Sequence, residues 1–451
     1  MSPTRPPNVV FILGDDWGWG DLSCFGHGRL RTPHLDRMAA EGTRYTQFYV
    51  ASAVCSPSRA AFLTGRFPGA IGVHTIYASP EQNRAHGVAD FLAPHIPTLP
   101  RLLRERGYAT AHFGKWHLGR GDNAPDPGAY GFDTHLSTHS SGPRWPGIGD
   151  VTEAGHTAAG FQPRSSEAIV DSTIEIIRAT ANRPFYVEAW LLDPHAVLNP
   201  TEAQMAPYRR LSPKGVSYPG APTVYYAVIT NADRHLGRLL AALDALDLSD
   251  DTLVVFTSDN GPEDLVVANA SHSAAGSPGP FRGRKRSLYE GGVRLPLIVR
   301  WKRHIPAGRV DNQSVLGAVD LLPTVCRLGG APAPDALPLD GEDVSAALRG
   351  GVHRRAKPLL WEWRFPIVGH PIHRSPRIAI RDGDWKLLLN PDRSRVELYD
   401  IPRDPMELRD LADRQPEIVD RLAARALDWA SSLPPGPVSP LAGSNAYPWP
   451  A

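Results

Sequence analysis

Val9-Val10-Phe11-Ile12-Leu13 is an uninterrupted apolar run, and Gly14-Asp15-Asp16 follow it directly. A strand with one face in water alternates apolar and polar residues, whereas an unbroken run indicates a strand that is buried on both faces. Leu253-Val254-Val255-Phe256 repeats the pattern ahead of Ser258-Asp259-Asn260. Strands of this kind are typical of mostly parallel sheets that helices cover on both sides.

Helical segments alternate with the strands. Residues 223–247 have the clearest helical period, with one apolar stripe formed by Tyr225, Ile229, Ala232, Leu236, Leu239 and Leu243. Shorter helices are predicted at 32–42, 98–106 and 166–181, and strands at 43–50, 108–113, 185–192 and 297–301. This alternation predicts an α/β fold with a mostly parallel central sheet and helices on both faces. Residues 120–163 are rich in Gly, Pro and His without a period, which predicts long loops over a site.

The character of the sequence changes near residue 352. Short strands are predicted at 359–363, 377–381, 385–389 and 396–399, with a helix at about 415–431. They predict a small antiparallel sheet with one helix. We therefore divide the chain into a catalytic α/β domain, 1–351, and a C-terminal α+β subdomain, 352–451, which ends in a Pro-rich tail.

Composition excludes some function classes. The 451 residues hold 48 Lys and Arg against 47 Asp and Glu, and this balance gives no sign of a nucleic-acid partner. No apolar run approaches the roughly 18 residues that span a bilayer, so no membrane association is expected. Three cysteines argue against a disulfide framework and favour a reducing compartment. Residues 1–7 lead into an apolar run too short for a signal peptide, which predicts a cytoplasmic protein, or a periplasmic or secreted one if a signal has been removed.

Polar residues follow both buried strands where each strand ends. Parallel topology brings such strand ends to one edge of the sheet, where ligands bind. Asp15, Asp16, Asp259 and Asn260 offer oxygen ligands only, which hard divalent ions such as Ca²⁺ and Mg²⁺ prefer. For either pair alone, a helix cap or a solvated loop is an equally good interpretation. Two pairs on two strand ends favour a metal site.

A second candidate site lies in Val54-Cys55-Ser56-Pro57-Ser58-Arg59-Ala60-Ala61-Phe62-Leu63-Thr64-Gly65-Arg66. Ser56 as N-cap and Pro57 at the first helical position predict a helix start, and Gly65 predicts its end. Cys55 then lies at the positive end of the helix dipole, which is expected to lower the pKa of its thiol and to attract a tetrahedral anion. Arg59, one turn later, can face back toward Cys55. The alternative is a cysteine that fills the core.

The Cys-x-Pro-Ser-Arg…Thr-Gly-Arg pattern of this stretch resembles the type I, formylglycine-dependent sulfatases of the alkaline phosphatase superfamily. Gly114-Lys115-Trp116-His117-Leu118-Gly119 is similar to a second signature of that family, and Asn260-Gly261-Pro262 to its arylsulfatase and N-acetylgalactosamine-6-sulfatase branch. The resemblance implies an alkaline-phosphatase-like fold over about residues 8–400. It also implies that a formylglycine-generating enzyme oxidises Cys55 to formylglycine, whose hydrate is the nucleophile. The implied metal is Ca²⁺, with Mg²⁺ possible, held by Asp15, Asp16, Asp259, Asn260 and residue 55.

The resemblance also assigns catalytic roles. Lys115 contacts the hydrate and the sulfate, His117 holds the second hydroxyl and later takes its proton, and Asp259 assists the attack as a base. His195 and Lys285 support departure of the alcohol. Lys115 and His117 are expected to share a face of an extended segment, being two residues apart. The implied catalytic set is Cys55, Arg59, Lys115, His117, His195 and Lys285, of which Lys115, His195 and Lys285 also bind substrate.

The function that the resemblance implies is hydrolysis of an organic sulfate ester, on a small molecule or an oligosaccharide, with a carbohydrate or an aryl group as the alcohol. One alternative is a phosphonate or phosphodiester hydrolase of the same superfamily, and another is an inactive binding protein on this scaffold. Loop residues that could border a substrate pocket, or could be ordinary surface and packing residues, are His74, His86, Trp145, His272 and His373.

Overall fold

A mixed nine-stranded sheet forms the centre of the molecule. The computed structural model describes residues 6–138, 145, 162–214, 219–264, 271–331, 333 and 337–446. In chain order the strands are β1 (Asn8–Gly14), β2 (Thr43–Tyr49), β3 (Ala109–Lys115), β4 (Thr134–Thr138), β5 (Phe185–Trp190), β6 (Thr252–Ser258), β7 (Arg294–Arg300), β8 (Arg309–Asp311) and β9 (Leu316–Gly317). Their order across the sheet is β4-β3-β5-β1-β6-β7-β2-β8, with β9 beside β2. Only β7 runs antiparallel to its neighbours, β6 and β2, so the predicted mostly parallel sheet is confirmed.

The central strand β1 explains why its sequence is apolar throughout. Val9, Phe11 and Leu13 pack into the core on one face of the sheet. Val10 and Ile12 pack into the core on the other face. Since β1 is hydrogen-bonded to β5 and β6, it has no exposed edge either. A polar residue at any of these positions would therefore be buried.

Helices cover both faces of the sheet, as predicted. The core on one face includes apolar side chains of α1 (Pro33–Ala40), α5 (Ser165–Thr180) and α7 (Ala221–Ala245). The core on the other face includes side chains of α2 (Cys55–Thr64), α4 (Leu99–Arg104) and α9 (Leu321–Leu328). Short helices complete the domain: α3 (Pro80–His86), α6 (Glu202–Met205), α8 (Glu290–Val293) and α10 (Ser345–Leu348).

The C-terminal part forms a second, four-stranded antiparallel sheet. Its strands are β10 (Leu359–Glu362), β11 (Ile378–Asp382), β12 (Trp385–Leu389) and β13 (Val396–Asp400), and α11 (Pro416–Ser432) packs against β11 and β12. Trp361 joins this sheet to the large one, because its Nε1 donates to the carbonyl oxygen of Val50 at 2.7 Å. The buried Lys386 ammonium adds an ionic contact, lying 2.8 Å from Glu290 and 2.9 Å from Glu407.

The predicted loop region contains a strand that the sequence did not reveal. Thr134–Thr138 form β4 at the edge of the sheet, paired with β3, so the prediction of loops alone over 120–163 is wrong there. Leu136 is the one apolar residue of β4, so the strand lacks the apolar run that identifies β1 in the sequence. Residues 139–144 and 146–161, also predicted as loops, lie outside the described residues. Within the described ranges, the helices lack the combined length and apolar character needed to cross a bilayer.

Candidate active site

The ends of three parallel strands and the start of one helix meet at a single point. Asp15 and Asp16 follow β1, Asp259 and Asn260 follow β6, Lys115 ends β3 and Cys55 begins α2. The ligand atoms of Asp15, Asp16, Cys55 and Asp259 all lie within 4.8 Å of one another, and all four residues are buried. Residues up to 244 positions apart are thus brought together, as the strand-end argument predicted.

The metal-ligand candidates form a compact group, here named the carboxylate cluster: Asp15, Asp16, Asp259 and Asn260. The Asn260 amide Nδ2 donates to Asp16 Oδ1 at 2.6 Å and to the Gly261 carbonyl at 2.8 Å. Its Oδ1 is buried and accepts no hydrogen bond from the described residues. Such an unsatisfied oxygen beside three carboxylates matches the all-oxygen donor set that a hard divalent cation binds.

Arg59 is buried beneath the cluster and neutralises part of its charge. Its Nε and Nη2 donate to Asp259 Oδ2 at 3.0 and 2.6 Å, and its Nη1 donates to the Lys115 carbonyl at 2.7 Å. The Nη2 nitrogen also lies 3.6 Å from Asp15 Oδ1. Arg59 therefore fixes the end of β3 relative to the end of β6, which positions the Lys115 side chain.

Two lysines contact different carboxylates of the cluster. Lys115 Nζ lies 2.6 Å from Asp15 Oδ2 and 3.7 Å from the Cys55 sulfur. Lys285 Nζ donates to both carboxylate oxygens of Asp16, at 2.7 and 2.8 Å. Burial lowers the pKa of Lys285, but the Asp16 charge more than offsets this and holds its pKa well above the usual value. Both lysines are therefore cationic and face a site where an anion can bind.

His117 and His195 line the same cleft as Cys55. The expectation that His117 continues an extended segment is wrong, because its backbone φ is +57°, in the left-handed region. The chain therefore turns after β3. Desolvation, together with the positive charges of Lys115 and Lys285, lowers the pKa of His195 to about 3, so its imidazole is neutral at neutral pH.

The local predictions for the Cys55 helix are only partly right. Helix α2 begins at Cys55 and ends at Gly65, whose φ is +65°. Ser56 is not the N-cap, however: Val54 takes that position without a side-chain bond, and the Ser56 hydroxyl accepts the amide N–H of Tyr77. The predicted low thiol pKa is also wrong, because burial raises the pKa of Cys55 to about 12 despite the helix dipole and Lys115.

Sequence reasoning missed Glu263, which also lines the cleft. Its carboxylate lies 2.5 Å from the Arg286 guanidinium and 3.6 Å from Lys285 Nζ. Burial acts to raise the pKa of Glu263, but these two cations hold it below the usual value. The position of Glu263 in the sequence could have indicated it, since Glu263 directly follows Asp259-Asn260-Gly261-Pro262 after the same strand.

Of the five loop residues considered for the pocket, His86 alone lines the cleft, which has a volume of about 500 Å³. His74 is instead bonded to Glu362 at 2.6 Å, and the Trp145 indole donates to Ser172 at 3.2 Å. His373 accepts the Gly283 amide at 3.1 Å, and His272 is also absent from the cleft lining.

Comparison with known proteins gives a consistent result. A sequence model of the sulfatase family matches residues 7–331, and a model described as N-sulphoglucosamine sulphohydrolase, C-terminal, matches residues 281–429. The steryl-sulfatase of Mus musculus is 32% identical, covering 96% of this chain and 83% of its own. The N-acetylgalactosamine-6-sulfatase of Canis lupus familiaris is 35% identical, covering 77% of this chain and 67% of its own. The arylsulfatase A of Homo sapiens is 32% identical, covering 86% of this chain and 75% of its own. Among solved structures, Ps i-CgsB in complex with k-i-k-neocarrahexaose has a TM-score of 0.80 at 25% identity, covering 98% of this chain and 97% of its own.

Proposed function

The chain belongs to the sulfatase family, and from that premise we propose how the residues around Cys55 carry out the reaction. As a member of this family, the protein is a sulfuric ester hydrolase. The observation that carries the proposal is the position of Cys55, whose sulfur lies 3.7 Å from both Asp15 Oδ1 and Lys115 Nζ. A nucleophile at this place would face a cation on one side and the carboxylate cluster on the other.

We propose that Cys55 acts only after conversion to formylglycine. Burial raises the pKa of its thiol to about 12, so the unmodified side chain is a protonated and weak nucleophile at neutral pH. Formylglycine would supply a hydrated aldehyde, whose hydroxyl attacks the sulfur of the ester. Because Cys55 is buried at the start of α2, a formylglycine-generating enzyme, the proposed maturation partner, must act before the fold closes.

We propose a divalent cation, Ca²⁺ or alternatively Mg²⁺, at the carboxylate cluster. Asp15, Asp16, Asp259 and Asn260 would hold it through oxygen, together with residue 55. The support is the buried Asn260 Oδ1, which has no hydrogen-bond donor within the described part of the chain. The cation would offset the charge of the sulfate group and orient one of its oxygens.

The remaining groups bind and polarise the ester. Lys115 and Lys285, which bracket the cluster, would contact sulfate oxygens and stabilise the charge that develops on them. His117, at the cleft wall above residue 55, would take the proton of the second hydroxyl in the step that releases sulfate. Arg59 stays hydrogen-bonded to Asp259 and holds this carboxylate in place, so that it can serve as the base for the attack.

The protonation of the leaving alcohol falls to His195 and Lys285. His195 Nδ1 lies 3.0 Å from the Ala196 carbonyl, which can only accept, so Nδ1 carries the proton and Nε2 is an acceptor. His195 must therefore gain a second proton before it can act as an acid. A bound sulfate ester would favour this protonation, because its negative charge offsets the two lysines that lower the His195 pKa.

We also propose the division into residues 1–351 and 352–451 and a reducing, cytoplasmic location. The separate antiparallel sheet β10–β13 supports the division. Cys24, Cys55 and Cys326 are free thiols, which fits a reducing compartment.

Sulfate release from 4-nitrophenyl sulfate, measured with protein made alongside a formylglycine-generating enzyme, tests the function. Mass spectrometry of the peptide that contains residue 55 reports the modification in the same sample. We expect turnover in proportion to the modified fraction, and the matched variant Cys326→Ser retains it. Fully modified protein that hydrolyses bis-4-nitrophenyl phosphate faster than the sulfate would instead favour the phosphodiesterase alternative.

A further inference from the structure

The cleft above Cys55 has a charged part, here named the floor, which consists of Cys55, Glu263, Lys285 and Arg286. Away from the floor, the lining becomes apolar. The outer lining, here named the apolar rim, comes from the segment after β10 and from the loop before α3, and consists of Ile76, Ala78, Trp363, Phe365, Pro366 and Val368. None of the rim residues at 363, 365, 366 and 368 carries a charged side chain or a hydroxyl group. The rim therefore provides contact area for a substrate but few hydrogen bonds.

Part of the apolar rim is open to solvent. Ile76 is 39% exposed and Val368 42% exposed, and Val197, next to the lining residue Ala196, is 42% exposed. Large apolar side chains at the surface are costly only when they are clustered, and clusters of this kind mark binding sites. Ile76 and Val368 line the same cleft as the Lys285 ammonium, so the cleft offers apolar contacts beside a group that can bind an anion.

The charged groups that line the cleft are already committed to the floor. The Arg286 guanidinium donates to Glu263 at 2.5 and 3.3 Å, and Lys285 is held by Asp16. Besides the charged groups and the two histidines close to Cys55, His117 and His195, the described lining offers Thr75, Gln82 and His86 as polar side chains, in α3 or the loop before it. On the opposite wall, the described residues of the apolar rim offer one side-chain donor, the buried Trp363 Nε1, so a second sulfate or a ring of hydroxyl groups there would lose water for few partners.

We propose that the substrate is the monosulfate of a compact apolar alcohol, with an aromatic or alicyclic ring packed against Phe365 and Val368. This inference rests on the proposed function, since it assumes that the sulfate group occupies the floor at Cys55. The carbon skeleton of the alcohol then packs on the apolar rim, and the edge of the skeleton that faces Gln82 and His86 stays in water. Sugars, with hydroxyl groups around the ring, fit this wall poorly.

Two esters of primary alcohols test how the polarity of the ring affects turnover. Cyclohexylmethyl sulfate and glucose 6-sulfate both release a primary alcohol from a six-membered ring, and they differ mainly in hydroxyl groups. We expect kcat/KM to favour cyclohexylmethyl sulfate by about 100-fold or more, a ratio expected when a site matches one polarity only. Equal values, or a preference for glucose 6-sulfate, would overturn the inference while leaving the sulfatase function intact.

Variants of the rim residues test whether the apolar rim causes the preference for cyclohexylmethyl sulfate. Phe365→Ala is expected to lower kcat/KM for cyclohexylmethyl sulfate by roughly tenfold, mainly through KM, and to affect glucose 6-sulfate much less. Val368→Ser changes an exposed side chain, so the variant retains its fold. It should also lower kcat/KM for cyclohexylmethyl sulfate, but by less than Phe365→Ala does. Leu408→Ser, at a 67% exposed leucine outside the cleft lining, is the control and changes neither ester.

The outcomes are distinct. Equal losses for both esters in the rim variants would overturn the inference, because they indicate damage to the floor. If modified protein hydrolyses glucose 6-sulfate and 4-nitrophenyl sulfate but not cyclohexylmethyl sulfate, the rim assignment fails alone. If it hydrolyses none of the three, the proposed function fails and the inference with it.

Discussion

Replacing Lys386 by Met tests what holds the two sheets together. The Lys386 ammonium is fully buried and lies 2.8 Å from Glu290 and 2.9 Å from Glu407, which are buried too. Without it, Glu290 keeps Tyr49 and Arg294, at 2.6 and 3.2 Å. Among the described residues, Glu407 keeps the Glu290 amide as its one close donor, at 2.6 Å, and is left as a buried carboxylate without its cation.

The expected loss follows from this asymmetry. Breaking a buried ion pair by removing one partner costs about 3–5 kcal/mol of the free energy of unfolding. Burial already raises the pKa of Glu407 to about 7, with Lys386 opposing the rise. Its folded pKa lies above the unfolded value, so the carboxyl takes up a proton on folding and stability falls as pH rises through 7. Loss of Lys386 raises the pKa of Glu407 further. Relative to wild type, the variant should therefore lose more unfolding free energy at pH 8 than at pH 6, by about 1.4 kcal/mol for each additional pKa unit.

Urea denaturation followed by tryptophan fluorescence at pH 6 and pH 8 measures both effects. Arg403→Met is the matched control, since Arg403 pairs with Asp400 at 2.6 Å but is 85% exposed, and a loss below about 1 kcal/mol is expected. Adding Glu407→Gln to Lys386→Met removes the stranded charge and should recover part of the stability. A loss under about 1 kcal/mol at both pH values, or no recovery in the double variant, would refute the reasoning.

Three further predictions concern the site and the first helix. Cys55→Ser should release at most one sulfate per protein molecule, because serine lacks a second hydroxyl for the release step; repeated turnover, measured as sulfate per enzyme over time, would contradict the mechanism. Chelation of divalent ions should lower the melting temperature, because a cation that binds only the folded protein stabilises it by mass action, and Ca²⁺ at 100 times its Kd should restore about 2.7 kcal/mol; a melting temperature insensitive to chelator and Ca²⁺ argues against the metal. Burial raises the pKa of Asp233 to about 7 although two amides of α1 bond to it, so this carboxyl should lower the unfolding free energy as pH rises between about 4 and 7, by up to about 1.4 kcal/mol per unit, and Asp233→Asn should reduce the slope in urea titrations by that amount.

The sequence was sufficient to place the floor of the site because topology is a strong constraint. Buried runs such as β1 indicate a parallel sheet, and the residues that follow such strands must share one edge. Asp15, Asp259 and Lys115 meet for that reason, whatever their separation along the chain. The resemblance added the roles of individual residues, which spacing alone did not define.

The failures have a common physical cause, since each depends on tertiary contacts. The Cys55 pKa was expected to be low because a helix start is visible in sequence, whereas the complete burial that raises it is not. Ser56 satisfies the Tyr77 amide, a partner 21 residues away, instead of capping its own helix. Strand β4 forms because β3 offers an edge, and its own residues are only weakly strand-like.

The apolar rim is the least predictable part of the site, for a reason that also concerns function. Ile76 and Val368 are ordinary apolar residues in loops, and in sequence they cannot be distinguished from core residues. Their role arises because two segments about 290 positions apart close over the same floor. The floor residues belong to rigid strand ends and the rim residues to connecting loops, which tolerate change more readily. Substrate choice in this architecture can therefore vary while the hydrolytic chemistry stays fixed, so substrate must be argued from the rim and not from the catalytic motifs.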